Sequence, residues 1–414
     1  MPTDSPDRPA DPRALAREWN SRGCRAAGEG HYRVAVAAFD RALAADPDDP
    51  DFYNNRGYVR AALRDRAAAI ADFDTALRLR PTFAAALNNR GLARLALQEY
   101  PAAAADFDRA LELDPNLVLA HLNRGLCRAA VGEYEAAIAN FDRALAMRPA
   151  LANALHNRAF SWTALGDYDA ALADYDEEVR LTPKRGFAYY NRGFVHLLRG
   201  DYQRAANDLT SAIGLKPDLA DAHYNRGEVW RAIGDYPRAL DDFSEALRLR
   251  PAFVLGYLRR AECWQELGDY EQAAADFGEV IRLDPTRPAV YHQRGLANLA
   301  LGRPDLAKAD FSEALRLDPR HAAARAGRGE ALAGLGDFDQ AVIDHLDAIR
   351  QSPKSAAAHE AFAKLWLTWP DPLMRNPKVA ADLANRSCEL SGWGDPACLA
   401  TRAAAQAALA EATW

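Results

Sequence analysis

Residues 220–253 read ADAHYNRGEVWRAIGDYPRALDDFSEALRLRPAF, and the spacing of a few residues in that stretch decides the fold. Counted from Ala220 as position 1, a small Gly227 falls at 8 and a turn, Gly234-Asp235-Tyr236, at 15 to 17. Ala239 follows at 20, Phe243 at 24, Ala246 at 27 and Pro251 at 32. Glycine just past a helical stretch supplies a left-handed C-cap, and the aspartate after it can cap the next helix. Small residues at 8 and 20 let two antiparallel helices approach closely, while aromatic side chains at 17 and 24 fill the space between them. Proline at 32 cannot continue the second helix and sends the chain onward.

The same register runs outward in both directions. Pro47, Pro81, Pro115, Pro149, Pro183, Pro217, Pro251, Pro285, Pro319 and Pro353 are each 34 residues apart. Position 20 is alanine in all ten units, from Ala35 and Ala69 to Ala341, and position 8 is always glycine or alanine. One such hairpin has too little core to fold alone, so stacking against neighbours must supply the stability. The expectation is an all-α solenoid of ten tandem hairpins over residues 16–355, after a tail at 1–15 predicted to be disordered. Residues 356–414 read as a degenerate capping segment. There a first helix from Ala356 to Trp369 is interrupted by a proline-rich stretch ending at Pro377, with helices from Lys378 to Leu390 and Pro396 to Ala412 to follow.

This pattern resembles the tetratricopeptide repeat, and Asn-Arg-Gly at positions 6 to 8 resembles a common bacterial subtype. The last segment is similar to degenerate end units of planctomycete-type proteins of that family. The resemblance implies a right-handed α-α superhelix whose first helices line a concave groove, chiefly through positions 2, 5, 6, 9, 12 and 13. It also implies a protein or extended-peptide ligand.

Position 6 is asparagine six times running, at Asn55, Asn89, Asn123, Asn157, Asn191 and Asn225. A carboxamide both donates and accepts, so an evenly spaced row could grip the backbone of an extended chain. The row is similar to the asparagine ladder of the repeat domain of O-linked N-acetylglucosamine transferase. The alternative is bonding to neighbouring helices or water. At ~0.5–1.5 kcal/mol per bond, backbone contacts alone bind weakly, so side-chain pockets must contribute. On the implied groove face Leu92, Leu95, Leu122, Leu126, Phe160, Phe187, Tyr190, Phe194, Leu197 and Leu198 form an apolar run, which marks an interaction surface or packing between first helices. Glu228, Arg231, Arg259, Glu262 and Glu266 then turn the face charged. The family's carboxylate clamp for chaperone tails is not matched, because Leu255 stands where Arg259 would need a lysine four residues earlier.

Position 7 is arginine in every unit and position 23 is mostly aspartate. The two positions should face each other across the hairpin, which predicts pairs such as Arg56 with Asp72, Arg90 with Asp106 and Arg192 with Asp208, fixing register more than adding stability. Glu178 and His345, at core positions 27 and 24, are read as locally wetter sites.

The remaining composition narrows function. A net charge of −7 without a basic stripe argues against nucleic acid. The five cysteines show no metal-ligand or disulfide spacing, and the dispersed histidines suggest no metal site. No apolar run reaches membrane-spanning length and no signal-like segment opens the chain, so a soluble cytoplasmic protein is expected. Phosphate-binding, dinucleotide, nucleophile-elbow and zinc-protease motifs are all missing, and neither an enzyme nor a cofactor is expected. The sequence favours a peptide-binding scaffold. A self-associating assembly component, using end faces and the tail tryptophans Trp366, Trp369 and Trp393, is the alternative.

Overall fold

The computed structural model describes residues 11–412, which form 23 α-helices and one 3-10 turn, with no strand among the described residues. The helices alternate in the order the 34-residue period requires. In repeat 3, for example, the first helix is Ala84–Ala96 and the second Tyr100–Leu113. The chain divides into two compact bodies, Met1–Arg204 and Ala205–Trp414, each built from the same hairpin.

The glycines and aspartates between helices act as their positions demand. Gly166 adopts φ 82°, and Asp167 accepts a hydrogen bond from the Ala170 amide at the start of Tyr168–Leu181. Asp235, Asp269 and Asp337 cap their helices the same way. Between the helices, Phe73, Phe107 and Phe141 are fully buried, as are Ala69, Ala103 and Ala137. The approach is tight: a Cβ added at Gly91 would lie 2.7 Å from the Phe107 ring. Volume at position 8 is therefore limited by the aromatic at 24 of the same hairpin.

Within each body second helices pack against their own first helix and the first helix of the next repeat, as Tyr100–Leu113 does with Ala84–Ala96 and Val118–Ala130, and several neighbouring first helices also touch. First helices thus lie on the inner side of each stack, which places positions 2, 6, 9 and 13 on a shared face.

The ends depart from the sequence expectation in detail. The opening helix runs Pro12–Gly28 under an Asp11 cap, so helix replaces the predicted disorder over its first four residues. Proline at the first helical position and a capping aspartate are the physical reason. Residues 1–10 of that predicted tail lie outside the described residues. In the cap, Pro377–Leu390 begins 21 residues after Ala356, against 16 from Ala322 to Phe338, so five residues are inserted between the helices. The last helix, Pro396–Glu411, starts 19 residues after Pro377, against 18 from Phe338 to Ala356, and packs on Pro377–Leu390 and Ala356–Thr368. Its Arg402 donates to Asn385 across the junction. Ala403, at the position buried in every full repeat, is exposed there.

No helix among the described residues is long and apolar enough to cross a membrane.

Candidate functional site: the inner face of the first helices

The arginine at position 7 does more than close its own hairpin. Arg56 donates to both carboxylate oxygens of Asp72, at 3.0 and 2.6 Å, and also to Asp40 of the preceding repeat at 2.7 Å. Arg90 does the same with Asp106 and Asp74, and Arg158 with Asp174 and Asp142. The Asp174 carboxylate raises the Arg158 guanidinium still further above its ordinary value. Arg192 donates to Asp176 at 2.8 Å. The second link, to position 25 of the repeat before, had its own signal in the sequence: aspartate recurs there at Asp40, Asp74, Asp108, Asp142 and Asp176.

In the C-terminal body the same arginines keep their own aspartates, as in Arg226–Asp242 and Arg260–Asp276, but reach back only to hydroxyls, Thr210 and Ser244. Burial works against the ionised Asp242, yet Arg226 and His223 hold it below the usual carboxylate range. Position 11 adds a donor to the same carboxylate. Arg60 reaches Asp72, Arg94 reaches Asp106, and the Trp230 indole reaches Asp242.

The asparagine row is engaged between repeats. Asn55 donates to Asn20 at 3.0 Å, Asn89 to Asn54 at 3.0 Å and Asn123 to Asn88 at 2.9 Å. Each bond joins position 6 to position 5 of the repeat before, so one of the two amide hydrogens of each position-6 side chain is committed. The legible signal was asparagine at position 5, present at Asn20, Asn54 and Asn88. Leu122 ends that run, and Asn157 turns to its own helix, donating to the Asn153 carbonyl. Asn191 is half-buried and Asn225 is buried.

The apolar run separates into two sets. Leu122 is buried among Phe141, Leu145 and Leu155 and offers the face nothing, because position 5 points between neighbouring helices. Position 9 supplies most of what remains on the surface, with Phe187 at position 2 and Leu198 at position 13 also exposed. Tyr58 is 59% exposed, Leu92 42% and Phe160 52%, with Leu126 and Phe194 half-buried along the same column. Phe187 is 41% exposed and Tyr190 half-buried.

The charged stretch is largely self-satisfied. Arg231 pairs with Glu228 at 3.0 Å, and Arg259 bridges Glu228 and Glu262 at 3.5 and 2.9 Å. All four charges at positions 6, 9 and 12 thus have a partner on their own helix or the neighbouring one.

Glu178 and His345 are not wet. Both are essentially inaccessible; Glu178 meets His156 at 3.0 Å and Arg185 at 3.2 Å, while the His345 ring stacks on Phe362. Burial holds His345 down to about 4. An ion pair engages Glu178 and a stacked ring covers His345, while His345 Nδ1 and one Glu178 oxygen have no hydrogen-bond partner among the described residues.

In the cap, Glu360, Asp395 and Cys398 bring a ligand atom each within 4.8 Å, a cluster the cysteine spacing did not announce. Lys364 neutralises Glu360 at 2.8 Å, and Thr401 and Ser387 complete the hydrogen bonding. Burial raises the Cys398 thiol. The cluster ties the last helix to Ala356–Thr368. Of the tail tryptophans, Trp366 and Trp369 stack on each other and Trp369 on Phe338, which leaves Trp393 exposed beneath Arg402.

A stack of such hairpins with a shared inner face is the architecture of a protein-interaction repeat scaffold. Models of the tetratricopeptide repeat match residues 20–82, 84–117, 116–186, 190–252 and 292–356, and a TPR repeat model matches 266–302. The chain belongs to the tetratricopeptide repeat family.

Similar solved structures include PilW, described as a widely conserved type IV pilus biogenesis factor (22% identity, 50% of this chain and 96% of that one, TM-score 0.48). A tetratricopeptide repeat protein from Parabacteroides merdae matches at 20% identity over 59% of this chain and 97% of that one, TM-score 0.45. YrrB, described as a TPR protein with an unusual peptide-binding site, matches at 22% identity over 44% and 95%, TM-score 0.41. No curated protein sequence matches the chain.

Proposed function

We propose that the chain is a non-catalytic scaffold that binds an extended polypeptide along the inner face of its N-terminal body. The observation that carries this reading is the position-9 column, where Tyr58, Leu92 and Phe160 stay exposed although the position-24 aromatics of their hairpins, Phe73, Phe107 and Tyr175, are buried. Exposed apolar side chains repeated along one face are costly in water unless a partner covers them. Repeats stack at about the 8–10 Å typical of packed helices, and three residues of a chain in the polyproline II conformation rise about 9 Å while completing one turn, so every third side chain faces the same way. A ligand with an apolar side chain at every third residue therefore matches the column. The asparagine row acts first as an inter-repeat tie and presents its remaining polar atoms to the ligand backbone.

The test uses peptides selected from a displayed random library against the full chain. Selected peptides should lose at least tenfold in affinity on Leu126→Glu combined with Phe160→Glu, with helicity unchanged. Equal affinity for the variant would refute binding on this face.

A further inference from the structure

Position 17 is tyrosine in seven of the ten repeats. That ring fills the gap between its own hairpin and the first helix of the next repeat. Tyr100 packs with Cys127, Tyr168 with Val195 and Tyr236 with Cys263, and Tyr134 meets the edge of the Phe160 ring at 6.4 Å. Repeat 2 departs from this, with Arg66 in the tyrosine's place.

The gap there is open. A cleft of ≈ 280 Å³ lies between the helices Pro50–Ala62 and Ala84–Ala96, with Phe73 at its base, Tyr58 and Leu92 on its sides, and Arg66 and Asn89 at its polar edge. Alanines form the remaining wall; the cleft with the same lining positions at repeat 10, ≈ 400 Å³, carries Phe338 where this one carries Arg66, so what sets this cleft apart is the guanidinium. The other arginines around it are neutralised, Arg60 by Asp72, Arg90 by Asp106 and Asp74, and Arg94 by Asp106. Arg66 is half-buried, and no ion pair engages it among the described residues. Asn89 spends one amide hydrogen on Asn54 and keeps the other.

We infer that this cleft is a subsite for an apolar group bearing a carboxylate. The apolar part enters over Phe73 and between Tyr58 and Leu92, and the carboxylate meets the Arg66 guanidinium, whose fork matches it in two parallel hydrogen bonds. A volume at the lower limit of ligand pockets suits one side chain rather than a whole small molecule. The subsite rests on the reading of this face as the ligand surface.

The experiment titrates the full chain with N-acetyl-leucine, its neutral amide, and acetyl-Asp-Leu-amide, followed by ligand-observed NMR. At least one carboxylate-bearing probe should bind, the neutral amide at least tenfold more weakly. Binding of the first probe identifies a chain terminus as the natural carboxylate, and binding of the third an acidic side chain. Arg66→Tyr should abolish binding, and because it installs the residue used by seven repeats it should keep the fold, checked by helicity and thermal unfolding. Arg66→Gln should bring the acid down to the level of the amide. Equal binding of acid and amide, no binding by either acid, or full binding by Arg66→Tyr each overturns the inference. Because the probes are too short to need the Leu126–Phe160 stretch, a failed subsite and a failed groove give different results.

Discussion

Asp106 accepts hydrogen bonds from two arginines, Arg90 and Arg94, while almost wholly buried. Removing one partner of such a group strands the others, at a cost of about 3–5 kcal/mol. Asp106→Ala should therefore lower unfolding free energy in urea by about 3 kcal/mol. Repeat 4 shows the gentler change: Asn140 stands at the same position, accepts from Arg124 and donates to the Ala136 carbonyl. Asp106→Asn should cost about 1 kcal/mol, the scale of one hydrogen bond, and a loss as large as that of the alanine variant would contradict this account. His345 carries the matching prediction for pH. Its pKa is about 4 in the fold against an ordinary 6.5, with burial the main cause and Asp344 acting the other way. The folded state thus binds fewer protons than the unfolded chain between those values. Its contribution to stability is complete above pH 6.5 and is lost as pH falls toward 4, on the order of 3 kcal/mol in all. His345→Phe, the residue most repeats carry, should flatten that part of the pH–stability curve. An identical acid response in the variant would show that other groups set it.

At the scale of the helix and its turn, the period exposed nearly everything. Pro251 and its nine counterparts set the hairpin length, Gly166 and Asp167 the joint, and Gly91 opposite Phe107 the interhelical distance, each through a residue type with one physical job. What stayed hidden depends on pairs of residues in different repeats. Asn55 meets Asn20 and Arg56 meets Asp40, links read only by comparing one repeat with the one before it. Leu122 looked like surface for the same reason, because position 5 is exposed or covered according to its neighbour. The five-residue insertion after Thr368 fell where periodicity had already lapsed, so no register was left to reveal its length. Two joints break the glycine rule: Arg64 and Gln98 hold φ of 66° and 62° where other repeats place glycine. The left-handed conformation costs such residues about 1–2 kcal/mol, partly offset by the greater freedom of glycine in the unfolded chain. Arg64→Gly and Gln98→Gly should each stabilise by about 0.5–1 kcal/mol in chemical denaturation. A destabilising change would show that these side chains hold their turns by contacts of their own.

For the molecule as a whole, the two bodies share a hairpin but not the chemistry that joins one hairpin to the next. In the N-terminal body five half-exposed aspartates take the backward bond from the position-7 arginine; in the other body Thr210 and Ser244 take it. Each exposed ion pair is worth about 0.2–1 kcal/mol and is screened by salt. Amide exchange in 1 M salt should therefore accelerate in the second helices of the N-terminal body more than in those of the C-terminal body. Equal acceleration would mean that the aspartates contribute nothing beyond a hydroxyl.

The backward bonds also bear on how such a chain can be edited. Excise residues 84–117 and Arg124 meets Asp74 where it had met Asp108, while Asn123 meets Asn54 where it had met Asn88. Both of these polar junction partners are replaced by their own kind, so recombination within this stretch can shorten or lengthen the array in whole repeats and keep both links. The cap has no such freedom. Its contacts are made once, across an insertion that no other repeat shares, and it can be inherited or lost only as a block.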